Sequence, residues 1–304
     1  MKIIDGHIHL VEIIAGYGGR GELRDIGGGK ARWASGEIME LIPNGYGEKD
    51  FTAQSLLRLM NENNVKNAVL LQGSMYGFQN EYTYEMCKKY HERFAGAFTI
   101  DPFAKNKGEL LKHFIDDLDF RIMKFELSSG GGLMGYHNKF LIDGPEMEDI
   151  WYKASEVNAT VALDIGNYNM ESYQPEAIRR VALQYPNVKI VICHLLAPIK
   201  GKEDILKRDL ELLNLPNIWF DLAALPVIFS EDTYPFPSAQ NSIKIAKDIV
   251  GASKLIWGSD APMTAARDPY KNLINYINDD IFDKEEMKMV FHDNALDVYF
   301  NNHS

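Results

Sequence analysis

Short apolar runs recur along the chain, separated by stretches in which apolar residues return every three or four positions. The runs are KIIDGHIHL (2–10), NAVLLQG (67–73), FAGAFTID (94–101), RIMKFEL (121–127), TVALDIG (160–166), KIVICHL (189–195), NIWFDLA (217–223) and KLIWGSD (254–260). The clearest amphipathic stretches are 52–64, 81–94, 107–118, 146–157, 174–185 and 242–251, and Thr52 and Ser172 are suited to cap helices. Strands alternating with helices predict a parallel sheet, and eight such strands predict its closure into a (β/α)8 TIM barrel. The expectation is one domain over residues 1–304, with residues 284–300 as a terminal helix packed on the barrel wall. Residues 11–50 interrupt the pattern. They are Gly-rich and are expected to form an irregular insertion, a lid or binding loop beside the first strand.

Polar residues are not spread evenly through the runs. His7 and His9, Asp101, Lys124 and Glu126, Asp164, His194, Asp221 and Asp260 all fall toward the C-terminal end of their run. In barrel enzymes that rim carries the chemistry, so the placement predicts an active site there.

Composition narrows the function. The chain has 304 residues with a formal net charge of −11, which disfavours nucleic acid and anionic membrane as partners. No apolar stretch reaches the length of a membrane span, and the N-terminus lacks the pattern of a secretory signal. Two cysteines, Cys87 and Cys193, form no metal knuckle or disulfide pattern, which fits a reducing cytoplasm. The expected partner is a small-molecule substrate, with a homodimer as the assembly to test.

Asp5-Gly6-His7-Ile8-His9 is the strongest chemical signal. Residues two apart on a strand share a face, so His7 and His9 project together into the barrel mouth as a clamp for a divalent metal. His194 ends the sixth strand and, alone, reads as a core histidine. Asp260 ends the eighth strand, which closes against the first, so it is expected beside His7 and His9. A carboxylate there can ligate a metal and take a proton from its water. Lys124 and Glu126 share a face of strand four, where they can hold a substrate or pair with neighbouring charges. In the 11–50 insertion, Arg20 and Arg24, with Lys30 and Arg32, are solvated charges or, in a closing lid, a guanidinium clamp for a substrate carboxylate. Tyr17, Trp33 and Tyr46 could wall a ring-shaped substrate.

With DGHIHL at strand one, CHL at strand six, WGSDAP at strand eight and the closing HDNALDVYF, the chain resembles the amidohydrolase superfamily. The closer likeness is to its amidohydrolase-related branch of metal-dependent hydrolases and decarboxylases. The resemblance implies His7, His9 and Asp260 as metal ligands, and His194 as a further ligand or as an acid/base beside the metal. The family's strand-five histidine is replaced by Asp164, either a harder, anionic ligand or a residue orienting one. A strand-four lysine bridges two metals in some relatives when carbamylated, and Lys124 occupies that strand. One divalent ion, zinc before manganese, is the expectation.

The function expected first is hydrolysis of an amide, ester or lactone through metal-activated water, with Asp260 as base. Non-oxidative decarboxylation of a hydroxylated aromatic or unsaturated acid is the alternative, and a non-catalytic binding barrel is a third reading.

Overall fold

A computed structural model describes residues 2–301. Eight parallel strands build the barrel: β1 (Ile3–Ile8), β6 (Val65–Leu70), β7 (Phe94–Gly96), β8 (Ile122–Glu126), β9 (Thr160–Asp164), β10 (Lys189–Ile192), β11 (Ile218–Asp221) and β12 (Leu255–Ile256). Continuous ladders run through β1-β6-β7 and through β8-β9-β10-β11-β12. Single parallel bridges join the two sets at both edges, Phe98 to Met123 and Ile8 to Ala261. Across the second seam the N–H groups of Gly6 and His9 donate to the carbonyls of Trp257 and Ala261 at 3.0 and 2.9 Å. The result is the TIM barrel of the sequence reading, with shorter strands. The apolar runs at 94–101 and 254–260 leave the ladder after three and two residues.

Helices α1 (Ala53–Glu62), α2 (Asn80–Lys89), α3 (Lys107–Lys112), α4 (Pro145–Glu156), α5 (Pro175–Gln184), α6 (Glu203–Leu212), α7 (Leu225–Ile228), α8 (Pro237–Val250), α9 (Met263–Arg267), α10 (Tyr270–Asn275) and α11 (Lys284–Lys288) complete the alternation. Thr52 caps α1, its side chain accepting from the Ser55 N–H. Ser172 does not cap α5, which starts three residues later at Pro175 with Gln174 in the cap position. The Ser172 hydroxyl instead donates to the Ile165 carbonyl and accepts from the Ser129 N–H, tying together the loops after β8 and β9.

The period of two places uncharged residues deep in the barrel and ionisable ones toward its mouth. Along β8 the inward face reads Ile122, Lys124, Glu126, and along β9 it reads Thr160, Ala162, Asp164. Ile4, Val69, Ala95, Ile122, Ala162, Val191 and Ile256 form one buried cluster that includes Val298 and Tyr299. The C-terminal helix therefore closes the floor of the barrel and is not, as expected, only packed on its wall. Asn294 fastens it there, its amide donating to the carbonyls of Ala252 and Leu255 at 2.8 and 2.7 Å. Among the described residues no helix is long and apolar enough to cross a membrane.

The 11–50 insertion is not irregular. It holds a four-stranded antiparallel sheet, β2 (Ala15–Gly18), β3 (Gly21–Gly27), β4 (Lys30–Trp33) and β5 (Ile38–Glu40). Leu23, Ala31 and Trp33 of this ribbon are buried. Its glycines misled the sequence reading because here they serve close approach. A Cβ on Gly16 would fall 1.8 Å from the Met75 carbonyl oxygen, and one on Gly19 would fall 2.3 Å from that of Gly135. The ribbon is thereby laid against two rim loops, 74–77 and 130–135, with Ala15 and Tyr17 donating to the Tyr76 and Ser74 carbonyls at 3.0 and 3.1 Å.

Candidate metal centre and active site

Three histidines stand together at the barrel mouth, brought there by two strand ends. His7 sits on β1 and His9 just beyond it, while His194 lies past the end of β10, on the turn Cys193–Leu196. Their rings are neighbours, with His7 centred 5.1 Å from His9 and 4.9 Å from His194. Asp260 lies beyond β12, its N–H donating to the His7 carbonyl at 2.8 Å, as strand closure requires. Backbone strain is concentrated at these positions. His194 has φ 59°, the next three residues Leu195, Leu196 and Ala197 are also left-handed, and Ala224 and Asp260 after β11 and β12 have φ 59° and 60°. Such non-glycine conformations cost about 1 kcal/mol or more each and tend to collect at functional sites.

Each imidazole is anchored through Nδ1. His7 donates to Asp221 Oδ2 at 2.8 Å, His9 to the Leu71 carbonyl at 3.0 Å and His194 to the Ala223 carbonyl at 3.2 Å. A carbonyl can only accept, so Nδ1 of His9 and of His194 bears a proton, and in the neutral ring Nε2 turns a lone pair toward the centre. Asp260 Oδ1 stands 3.0 Å from His9 Nε2 and 3.4 Å from His7 Nε2. Lone pairs and a carboxylate oxygen converging in this way repel one another unless a cation lies among them. Donor atoms of His7, His194 and Asp260 lie within 4.8 Å of each other, so the residues present fit a divalent metal ion. Asp164 approaches the same centre, its Oδ2 3.8 Å from His194 Nε2. Its other oxygen accepts from the Gly166 N–H at 2.9 Å.

Electrostatics support the arrangement. Burial depresses the His7 pKa against the pull of Asp221, which keeps the ring neutral. Burial would also depress His194, but the carboxylates of Asp164, Asp260 and Asp221 outweigh it and raise the group. Burial opposes ionisation of Asp260, yet its surroundings, with the His9, His7 and His194 rings against it, bring its pKa down to about 2.

Asp221 is the site residue that sequence reasoning left without a role. Besides holding His7, its Oδ1 accepts from the N–H groups of His194 and Ala223 at 2.8 and 3.1 Å. One buried carboxylate thus positions two of the three imidazoles, the supporting partner expected of metal-bound histidines. Its place at a strand end was a signal, but nothing in the spacing said which histidine it would reach. Asp5 braces the site from beneath, accepting from Tyr270 Oη at 2.6 Å and from the Ser259 N–H at 2.9 Å.

The histidines and Asp260 line a cavity of about 300 Å³ together with Lys124, Glu126 and Asp164. Glu126 is held by Ser74, whose N–H donates to Oε2 at 2.7 Å. Burial raises the Glu126 carboxyl above its ordinary range, against the pull of Lys124. Lys124 is buried, and among the described residues no carboxylate comes within 4.0 Å of its Nζ. Tyr76, Met75, Met170 and Met263 add an apolar wall. Arg20 and Arg24 do not line this cavity. Arg20 pairs with Glu37 and covers the Trp33 ring, while Arg24 is exposed on β3. Trp33 is buried in the ribbon, Tyr17 packs on Tyr136, and Tyr46 lies under Arg58 outside the cavity.

The sequence profile of the amidohydrolase family matches residues 4–300, nearly the whole chain. The chain belongs to the amidohydrolase family. Solved amidohydrolase-type structures share the fold at low identity. A probable 2-pyrone-4,6-dicarboxylic acid hydrolase from Acinetobacter baumannii, with citric acid bound, is 20% identical over 98% of this chain and 99% of its own, with a TM-score of 0.67. An amidohydrolase from Burkholderia multivorans with bound zinc is 13% identical over 99% of both chains, with a TM-score of 0.72. A 2,6-dihydroxybenzoate decarboxylase from Rhizobium is 13% identical over 82% of this chain and 88% of its own, with a TM-score of 0.61. No curated protein matches significantly. The amidohydrolase family and its similar structures are enzymes, hydrolases or decarboxylases, and the family is metal-dependent.

Proposed function

We propose that this amidohydrolase is a single-metal hydrolase that cleaves an amide, ester or lactone bond in a small carboxylated or cyclic substrate. The observation that carries the reading is the convergence of three Nδ1-anchored imidazoles and Asp260 on one point at the barrel mouth. His7, His9, His194 and Asp260 would hold the ion, with Asp164 completing the set. Zinc suits the imidazole-rich side, and manganese becomes competitive as carboxylates are added. A divalent ion held there supplies Lewis acidity and makes water acidic enough to react near neutral pH.

The chain's own residues do the rest. Asp260 is ionised and takes the proton of the attacking water, then returns it to the leaving group. His194, set by the strained turn with its Nδ1 proton on the Ala223 carbonyl, keeps Nε2 for the ion and so helps hold the centre in place. Lys124 brings a cation to the wall without a carboxylate in contact, which suits a substrate oxygen or carboxylate. Glu126, tied to Ser74, fixes the field around that lysine. The methionines and Tyr76 exclude bulk water.

A decarboxylase, a carbon–carbon lyase, is the second reading. The same donors could chelate a carboxylate and an adjacent oxygen, and a fold neighbour carries that activity in its name. One experiment tests both. The purified protein is analysed for metal, reconstituted with zinc or manganese, and offered lactones, amides and phenolic acids. Acid or amine release supports the hydrolase, and CO2 from a phenolic acid supports the lyase. No metal uptake by the wild type defeats both.

A further inference from the structure

The metal-site cavity does not end at its apolar wall. Asn167, Ala197 and Ile228 also line a second chamber of about 380 Å³, which therefore adjoins it. Ala197 is the last of the four consecutive left-handed residues that begin at His194. The same strained turn therefore sets the histidine in one chamber and the wall between the two. Leaving that wall, the two segments that line the chamber are first apolar, at Pro198 and Ile199 and at Phe229, and then polar, at Lys200 and at Ser230, Glu231 and Asp232. The exposed Lys200 lies 3.5 Å from the largely buried Asp232, so the charges that follow the apolar stretch are paired across the chamber. An apolar passage with a charged rim, continuous with a reactive centre, suits the hydrocarbon part of a molecule anchored at that centre.

The charges of the inner cavity point the same way. Among the described residues, Lys124 is the only lysine or arginine lining it, against the carboxylates of Asp164, Glu126 and Asp260. With one divalent ion added, the wall is no more than balanced. It has one cation for one substrate carboxylate and none for a second, and a buried unpaired charge is costly.

We propose that the outer chamber is a subsite for an apolar substituent, so that the substrate is a neutral or monoanionic ester, lactone or amide bearing an alkyl or aryl group, and not a dicarboxylate. This rests on the metal-site reading above.

The test uses hydroxamic acids, uncharged chelators whose acyl group can be lengthened. Aceto-, hexano- and 3-phenylpropionohydroxamic acid are titrated by calorimetry into the zinc-loaded protein. Each methylene buried in the chamber adds roughly fourfold in affinity, so the two longer members should bind at least tenfold tighter than the first. Ile199→Asp, and the milder Ile199→Asn, should remove that gain while leaving acetohydroxamate affinity unchanged, which also shows that the variants are folded. Equal affinities across the series, or a gain that survives both variants, would overturn the subsite. Failure of acetohydroxamate to bind zinc-loaded wild type would defeat the metal-site reading itself, and the subsite with it.

Discussion

Asp221 Oδ2 accepts the Nδ1–H of His7 at 2.8 Å, and this bond decides which edge of the imidazole meets the cavity. Rotated away from it, His7 would turn its proton, not its lone pair, toward Asp260. Asp221→Asn should therefore lower zinc affinity by roughly 10–100-fold, the usual effect of removing a partner that orients a ligand. Competition against a chromophoric chelator reads this directly. An unchanged affinity would show that Asp221 serves the fold alone.

Metal removal should cost stability. A ligand that binds only the folded state contributes about 2.7 kcal/mol at a hundredfold excess over its Kd. Dialysis against a chelator should lower the Tm by several degrees, and zinc should restore it in the wild type but not in His7→Ala. A Tm indifferent to chelator and zinc would remove the cation from among the histidines.

Lys124→Met should leave metal stoichiometry near one per chain by plasma mass spectrometry, because the lysine is proposed to meet substrate. Its effect should fall on KM for carboxylated substrates more than for neutral ones. Two ions in the wild type and one in the variant would make Lys124 a bridge instead.

The ribbon is expected to brace the cavity. Gly16 has no room for a side chain against Met75, and that loop carries Tyr76 to the cavity wall. Gly16→Ala should cost about 1–3 kcal/mol, as forced overpacking does, and should weaken hydroxamate binding in the molecules that stay folded. Denaturant titration and calorimetry separate the two effects. Full stability in the variant would mean that the ribbon is seated loosely.

Burial pushes the Cys87 thiol up to about 12. At pH 8 the folded protein should alkylate at this residue roughly a thousandfold more slowly than the unfolded chain, since only the thiolate reacts. Peptide mapping after iodoacetamide treatment checks it. Fast labelling would show an opening of α2 from the barrel.

The fold and the centre of the site were legible in the sequence because both follow from short periods. A spacing of two puts His7 with His9 and Lys124 with Glu126, and the alternation of strands with helices implies the closure that brings Asp260 beside the first strand. His194 was legible as a candidate, but its left-handed turn was not, because no glycine marks it. Asp164 could be placed at the rim, though not at its 3.8 Å from His194.

What only tertiary structure decided was everything that depends on which loops meet. Glycine in a sequence signals an open loop and a close backbone approach equally well, so the 11–50 segment read as irregular until its contacts with Met75 and Gly135 showed why its glycines are there. Arg20 and Arg24 fell outside the cavity because the ribbon lies against the rim loops instead of folding over the metal centre. Asp221 became the keystone of two histidines, and a second chamber opened beyond Ala197, because side chains distant in sequence converge there. Period and composition determine which face a residue takes, while the partner it finds on that face is set by packing among elements that no local pattern encodes.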